Sequence, residues 1–211
     1  MADIEQLVAM LARDAVKVKP APHPLMLSLK WVGATTVYLA LSLMVSGLRP
    51  DLARALHQPW FVAEIVTLGL TFIATSLSAA LLAFPDLHQK RTLAFLPLGM
   101  FALFILLMLF AWHADKPPAP LPEHSFECTI SIMLFSILPA TWTFYTMRKY
   151  ASTHYYFAGS IAMLSAFCVG ALWLRLHEIN NSITHVLEWH YLPMLGVGLL
   201  GLWLGKILLK W

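Results

Sequence analysis

The sequence is poor in charged residues and in cysteine. Only 12% of its 211 residues are charged and 59% are hydrophobic, whereas soluble domains have about 25% charged and about 45–50% apolar residues. So few polar side chains could not cover a soluble globule, and such a high apolar content excludes an intrinsically disordered chain. The 2 cysteines are too few for a disulfide scaffold. The composition therefore predicts a polytopic membrane protein.

Six apolar runs follow one another along the chain. Each is long enough to cross the hydrocarbon core, which needs about 20 residues. The runs cover residues 26–48, 60–84, 92–112, 129–147, 155–176 and 186–208. They predict an all-α membrane protein in which residues 26–211 form a bundle of six transmembrane helices. The spacing Gly201-xxx-Gly205 in the last run is typical of close helix packing in lipid.

Residues 1–25 precede the first run and form a separate arm. Its apolar residues recur with helical spacing at Ile4, Leu7, Val8 and Leu11. Prolines between positions 20 and 24 end the helix and form an extended spacer. Because so short a helix is marginal in water, we expect it to order in a groove of a partner protein. The alternative is binding to the bilayer surface.

The distribution of basic residues predicts the orientation. With a cytoplasmic N-terminus, ten of the 14 Lys and Arg residues fall in inside segments. The other four are Arg49, Arg54, Lys116 and Arg175. The positive-inside rule therefore places both termini in the cytoplasm. In a membrane protein these charges report orientation, so no direct contact with nucleic acid is expected.

Potential ligands concentrate on the predicted outer face. They are His124, Cys128, His177, Glu178, His185, Glu188 and His190. Imidazole, thiolate and carboxylate are the ligands of zinc-like ions. His124 and Cys128 are four residues apart, which on a helix places them on one side, and we take His124, Cys128 and His177 as candidate metal ligands. Histidines that are merely solvated remain the alternative, because no HExxH or paired CxxC motif is present.

No set of residues assembles a nucleophile, a base and an oxyanion site, so the sequence predicts no enzyme. Glu64 and Glu188 lie near the predicted outer ends of their spans, where we interpret them as interfacial or structural residues. Cys168 lies too deep in the fifth span for a disulfide with Cys128 and is predicted to be a core residue. A small transporter or channel is the alternative class, which would show an inverted repeat and charges near the midplane.

Several short elements together resemble one known family. They are Ile4-Glu5-Gln6-Leu7 in the arm, Arg49-Pro50-Asp51 after the first span, Cys128 at the start of the fourth, Trp189-His190 at the start of the sixth, and the terminal Lys210-Trp211. With six compact spans, this pattern is similar to the NrsF-like family of bacterial membrane anti-sigma factors. The Arg49-Pro50-Asp51 element is the most specific part of the resemblance and is expected to be structural.

The resemblance implies an inner-membrane protein with a cytoplasmic N-terminus and no required cofactor. Its arm, through Ile4, Leu7, Val8 and Leu11, would hold an extracytoplasmic-function sigma factor until a periplasmic stress signal, oxidative or metal, arrives. The implied sensing residues are Cys128, His124, His177, Glu178 and His190. Family members commonly carry a second cysteine just after a histidine, whereas here Glu178 follows His177. This difference favours a divalent metal ion as the signal over a dithiol switch.

Overall fold

The computed structural model describes residues 2–14, 21–85, 91–114 and 125–210. Within these ranges every regular element is a helix. The elements are α1 (Ala2–Asp14), α2 (Pro24–Ser46), α3 (Leu52–Ala55), α4 (Pro59–Leu82), α5 (Arg91–Ala94), α6 (Leu96–Ala114), α7 (Phe126–Met147), α8 (Tyr155–His177), α9 (Ile183–His185), a π-helix (Val186–Tyr191) and α10 (Pro193–Leu208).

Six helical segments in these ranges are long and apolar enough to cross a membrane. Their bounds lie within three residues of the predicted runs. The third segment combines α5 and α6, which are separated at Phe95, two residues before Pro97. The sixth segment is also discontinuous, because the π-helix separates α9 from α10. The prediction of an all-helical fold with six helical segments long and apolar enough to span a membrane is therefore confirmed for the described residues, while the third and sixth segments are interrupted helices.

Helix α8 lies at the centre of the bundle. It packs against α4, α7 and α10, and 89% of its most apolar stretch is buried inside the protein. The corresponding share is 17% for α2 and 22% for the third span, so these helices lie at the periphery. Cys168 of α8 is fully buried in the apolar core and unpaired, which agrees with its predicted role as a core residue.

Glycines allow α8 and α10 to approach closely. A Cβ atom at Gly201 would lie 2.6 Å from Ser160 Cα, and one at Gly205 would collide with the carbonyl oxygen of Tyr155. Gly159 faces the same contact, since its Cβ would meet the backbone of both α10 glycines. The predicted small-residue packing at Gly201 and Gly205 is therefore present.

The loops that follow α2 and α8 lie at the same end of the bundle, where α4 and α7 begin. Gly47 ends α2 with φ 86°, a conformation that favours glycine. The Arg49 backbone N–H then donates to the carbonyl of Leu176 in the last turn of α8, at 3.0 Å. We call this end, formed by residues 47–58, the start of α7 and residues 178–191, the site end.

Filling the α8–α10 contact is expected to destabilise the protein. Gly205→Ala should lower the free energy of unfolding by about 1–3 kcal/mol, the usual cost of overpacking a tight contact. The matched control is Gly196→Ala on the same helix, where a Cβ meets nothing within 4 Å. Thermal unfolding in detergent should show a lower Tm only for Gly205→Ala. Equal Tm values for the two variants would contradict this packing.

Candidate functional site

Four potential metal ligands meet at the site end. They are Cys128 in the first turn of α7, Glu178 directly after α8, His185 at the end of α9 and His190 on the π-helix. One ligand atom from each lies within 4.8 Å of all the others. We call these residues the four-residue cluster.

The contacts within the cluster are short. The Nε2 atoms of His185 and His190 are 3.2 Å apart. Glu178 contacts both rings, with Oε1 3.3 Å from Nε2 of His185 and Oε2 3.0 Å from Nε2 of His190. Cys128 Sγ lies 3.6 Å from Nε2 of His185 and 3.7 Å from each carboxylate oxygen. The thiol, both imidazoles and the carboxylate therefore converge on one point.

The two histidines of the cluster are buried, and their polar contacts are directed to this point. The two residues are 1% and 0% exposed. The buried Nδ1 atoms of His185 and His190 have no hydrogen-bond partner within the part of the chain that the structure describes. The polar contacts of both rings are thus made through Nε2, which faces the cluster.

The π-helix explains how two histidines five residues apart can meet. An α-helix turns 3.6 residues per turn, so residues i and i+5 would point about 140° apart. In a π-helix the backbone bonds are of the i→i+5 type, as between the N–H of Leu192 and the carbonyl of Leu187 at 2.8 Å. This wider turn brings His185 and His190 to the same side. Such π segments inside helices often occur at functional sites.

Arg49 and Asp51 hold the loop that carries Glu178. Arg49 binds Asp51 through Nε at 2.7 Å and Nη2 at 3.0 Å. The same guanidinium donates to the carbonyl of Ile179 and to Oδ1 of Asn181, each at 3.0 Å. Pro50 occupies the second position of the turn closed by Leu52 N–H and the Arg49 carbonyl, where proline is favoured. The Arg49-Pro50-Asp51 element therefore fixes the loop next to the cluster.

A second buried arginine holds the same loop from α8. Arg175 makes a two-point ion pair with Glu64 of α4, with distances of 2.7 and 2.9 Å. Its Nη1 donates to the carbonyl of Asn180 at 2.8 Å. The Tyr191 hydroxyl of the π-helix donates to Glu64. This network joins α4, α8, the loop and the π-helix directly beside His190.

Two carboxyl groups outside the spans have lowered pKa values. The hydrogen bond from the Arg49 guanidinium is the main cause of the lowered pKa of Asp51. For Glu178, burial raises the pKa, but the hydrogen bond from His190 and the nearby positive charges outweigh it. The net pKa of Glu178 is therefore below its ordinary value, so this group is an anionic oxygen donor at neutral pH.

The structure brings together only part of the predicted sensing set. Cys128, Glu178 and His190 meet in the cluster. His177 does not join them, because its Nδ1 lies 2.8 Å from the carbonyl of Gly47 and its ring stacks on Trp173. His124 lies outside the described residues. His185, which the sequence analysis placed on the outer face but not in the sensing set, completes the cluster.

The buried ion pair was not predicted. Arg175 was expected among the outer-loop cations and Glu64 as an interfacial or structural residue, but both are 2% exposed and bind each other. The pair could have been predicted from a carboxylate and a guanidinium at the outer ends of two apolar spans, since charges in such places are usually paired. Glu188 is exposed and lies outside the cluster.

The predicted arm forms a helix that leaves its apolar face uncovered. In α1, Ile4 is 67%, Leu7 51% and Leu11 63% exposed, and Val8 is exposed as well. These residues lie on one face of the helix, as their spacing predicts.

Comparison with known proteins gives two matches over most of the chain. The sequence profile of NrsF, "Negative regulator of sigma F", matches residues 11–211. The chain is also similar to the anti-sigma-F factor NrsF of Caulobacter vibrioides (strain NA1000 / CB15N), with 26% identity over 215 residues that cover 98% of this chain and 99% of the relative. No solved structure matches the chain.

Removing one partner of the buried ion pair should be strongly destabilising. Arg175→Met leaves the Glu64 charge buried and unpaired, which typically costs about 3–5 kcal/mol. Arg54→Met, at an exposed arginine of the same end, is the control and should change stability by no more than about 0.5 kcal/mol. Thermal unfolding in detergent measures both.

The double variant Glu64→Leu/Arg175→Met separates charge from shape. Since it removes both charges, it should recover more than half of the stability lost in Arg175→Met. A double variant as unstable as the single one would show that the unpaired carboxylate is not the source of the loss.

Proposed function

Because the chain belongs to the NrsF family of negative regulators of sigma F, we propose that it is an anti-sigma factor of the inner membrane. It holds a sigma factor of the extracytoplasmic-function class at the cytoplasmic face and releases it when a stress signal reaches the site end. The proposal depends on one structural observation above all, the uncovered apolar face of α1. The family description names a regulator and not an enzyme.

The composition of α1 suits a protein partner. The helix has 13 residues, which is marginal for stability in water without a contact. Ordering it on a partner costs free energy, so the complex can be released by a modest change in affinity. Its charged residues are of both signs, at Glu5 and Arg13 among others, which fits a protein groove better than an anionic lipid surface.

The charges of the two ends support a cytoplasmic N-terminus. At the site end Arg49 and Arg175 are each neutralised in an ion pair. The site end has one exposed arginine, Arg54, whereas the opposite end presents five exposed cations, at Lys30, Arg148, Lys149, Lys206 and Lys210. The positive-inside rule holds because segments rich in cations tend to stay on the cytoplasmic side of the membrane. Pairing of Arg49 and Arg175 lowers the effective positive charge of the site end and so strengthens the difference between the two ends. We therefore propose that the end of the bundle near α1 faces the cytoplasm and that the site end faces the periplasm.

The buried charges do not fit the transporter alternative. A transporter is expected to bind its substrate or ion near the midplane. In the described part of the chain, the buried Arg49, Glu64 and Arg175 all lie at the site end and bind one another or the adjoining loop. Their role is structural, and the family description names a negative regulator of sigma F.

Charges on the apolar face of α1 should abolish capture of the sigma factor. In Leu7→Asp/Leu11→Asp, two carboxylates would have to be buried in the partner groove, which is costly without a positive partner. The control Gln6→Asp/Ala9→Asp adds the same two charges on the other side of the helix. Co-purification from detergent-solubilised membranes should lose the sigma factor only with the first variant. Equal capture by both variants would show that α1 is not the element that binds the sigma factor.

The orientation can be tested with cysteines introduced into a Cys128→Ser background, in which the remaining Cys168 is fully buried. Ala53 at the site end and Ala151 at the opposite end are both exposed. In spheroplasts a membrane-impermeant maleimide should label Ala53→Cys directly, but Ala151→Cys only after permeabilisation. The opposite pattern would place α1 in the periplasm and would overturn the proposed capture of a cytoplasmic protein.

A further inference from the structure

We propose that Cys128, Glu178, His185 and His190 form a four-ligand site for one divalent cation of the zinc class. The assignment of this cation as the signal depends on the proposed anti-sigma function, whereas the binding itself does not. The proposal is carried by the geometry of the four ligand atoms, by their burial and by the chemistry of the donor set.

Most of the distances between the ligand atoms are close to those of a tetrahedral site. Zinc binds sulfur at about 2.3 Å, imidazole nitrogen at about 2.0–2.1 Å and carboxylate oxygen at about 2.0–2.2 Å, so neighbouring ligand atoms in a tetrahedron lie about 3.3–3.6 Å apart. The cluster has 3.2 Å between the two imidazole nitrogens, 3.3 Å from His185 to Oε1 and 3.0 Å from His190 to Oε2 of Glu178, and 3.6 Å between Cys128 Sγ and His185. The four ligand atoms all lie within 4.8 Å of one another, so closing the widest pair to tetrahedral spacing requires side-chain shifts of about 1 Å.

All four ligand atoms can bind a metal cation. Thiolate sulfur, imidazole nitrogen and carboxylate oxygen are all electron-pair donors to a metal. With both rings protonated at Nδ1 only, the two Nε2 atoms, which are 3.2 Å apart and within 3.3 Å of a carboxylate oxygen, would bring three lone pairs to one point. A metal ion at the centre would satisfy them together and would remove the need for protons between them.

The donor set also selects the class of ion. One sulfur, two imidazoles and one carboxylate suit zinc-like and softer divalent ions, whereas calcium and magnesium take oxygen ligands. Cys168 adds nothing to the cluster, because it lies in the apolar core as a free thiol. One thiol with two histidines therefore favours metal binding over formation of a protein disulfide.

The positions of the ligands are set before any ion binds. The π-helix presents both histidines on one side, and Arg49 and Arg175 hold the backbone next to Glu178. Preorganisation of this kind reduces the cost of ordering the ligands upon binding. It also explains why the interrupted helix and the two buried arginines occur at the same end of the bundle.

The test uses the full-length protein in detergent, titrated with Co²⁺ under anaerobic conditions. We expect one Co²⁺ per chain, with the intense visible bands of a tetrahedral ion and a thiolate-to-cobalt charge-transfer band. Zn²⁺ should then displace the Co²⁺. Absence of saturable binding, or a spectrum without the thiolate band, would overturn the proposal.

Variants assign the ligands one at a time. Cys128→Ser should remove the charge-transfer band. Glu178→Gln should weaken Zn²⁺ binding by more than the tenfold to hundredfold typical of outer-shell changes. The matched control is His57→Asn, at an exposed histidine of the site end outside the cluster, and it should bind like the unaltered protein. Unchanged affinity in Glu178→Gln would contradict the assignment.

A second substitution guards against loss of folding. Glu178→Cys keeps a ligand at this position and should retain one ion per chain, with a preference shifted from Zn²⁺ toward Cd²⁺ because a thiolate is the softer donor. Unfolding curves of the metal-free variants check that each has folded. An unchanged preference in folded Glu178→Cys would show that this residue is not a ligand.

The capture assay separates this proposal from the anti-sigma function. A protein that captures its sigma factor but binds no Co²⁺ would overturn the metal site and leave the anti-sigma function standing. A protein that binds Co²⁺ through these ligands but captures no sigma factor would overturn the anti-sigma function instead.

Discussion

The site end depends on the buried ion pair between Arg175 and Glu64. Burying two charges is costly, and the pair is tolerated because its geometry is two-pronged and both partners have further hydrogen bonds. Arg175 also binds the carbonyl of Asn180, and Glu64 accepts from Tyr191. The pair therefore sets the relative positions of α4, α8, the loop after α8 and the π-helix. Glu178 and His190 lie one or a few residues from these contacts, so their separation follows from the same network.

Arg49 and Arg175 act on the loop from two sides. Both guanidinium groups also lie over the ring of Phe61, with their carbons 5.1 and 5.2 Å from its centre, a distance typical of cation–π contacts. Each buried arginine donates to a carbonyl of this loop, Arg49 to Ile179 and Arg175 to Asn180. The loop is consequently held by side chains from two different parts of the chain and needs no secondary structure of its own. This explains the role of the Arg49-Pro50-Asp51 element, which is local in sequence but binds residues about 130 positions away.

The spans could be predicted from the sequence because length and apolarity are properties of a single segment. The cluster could be predicted only in part. Cys128, Glu178 and His190 were recognised by residue type and predicted side of the membrane, but the spacing of His185 and His190 does not suit an α-helix, and no pattern in the sequence announces a π-helix. The Arg175–Glu64 pair joins residues 111 positions apart, and such a contact cannot be read from either segment alone. His177 was misleading because it is a histidine at the same end of the bundle as His185 and His190. Its ring, however, contacts Gly47 and Trp173 and not the cluster.

The π-helix is the element through which the cluster can act on the rest of the bundle. It holds His185 and His190 on one side only while its i→i+5 register persists, and conversion to α-helical register would rotate them apart. A ligand that binds both histidines therefore favours the π register by its difference in affinity for the two forms. Helix α10 continues directly from this segment at Pro193, and its far end contacts α8 through Gly201 and Gly205. Because that contact leaves no room for a side chain, a rotation of α10 cannot be absorbed locally and must move α8 or separate from it. Under the proposed function, the α8–α10 contact would give a signal at the site end a physical route to the opposite end of the bundle, where α2 begins.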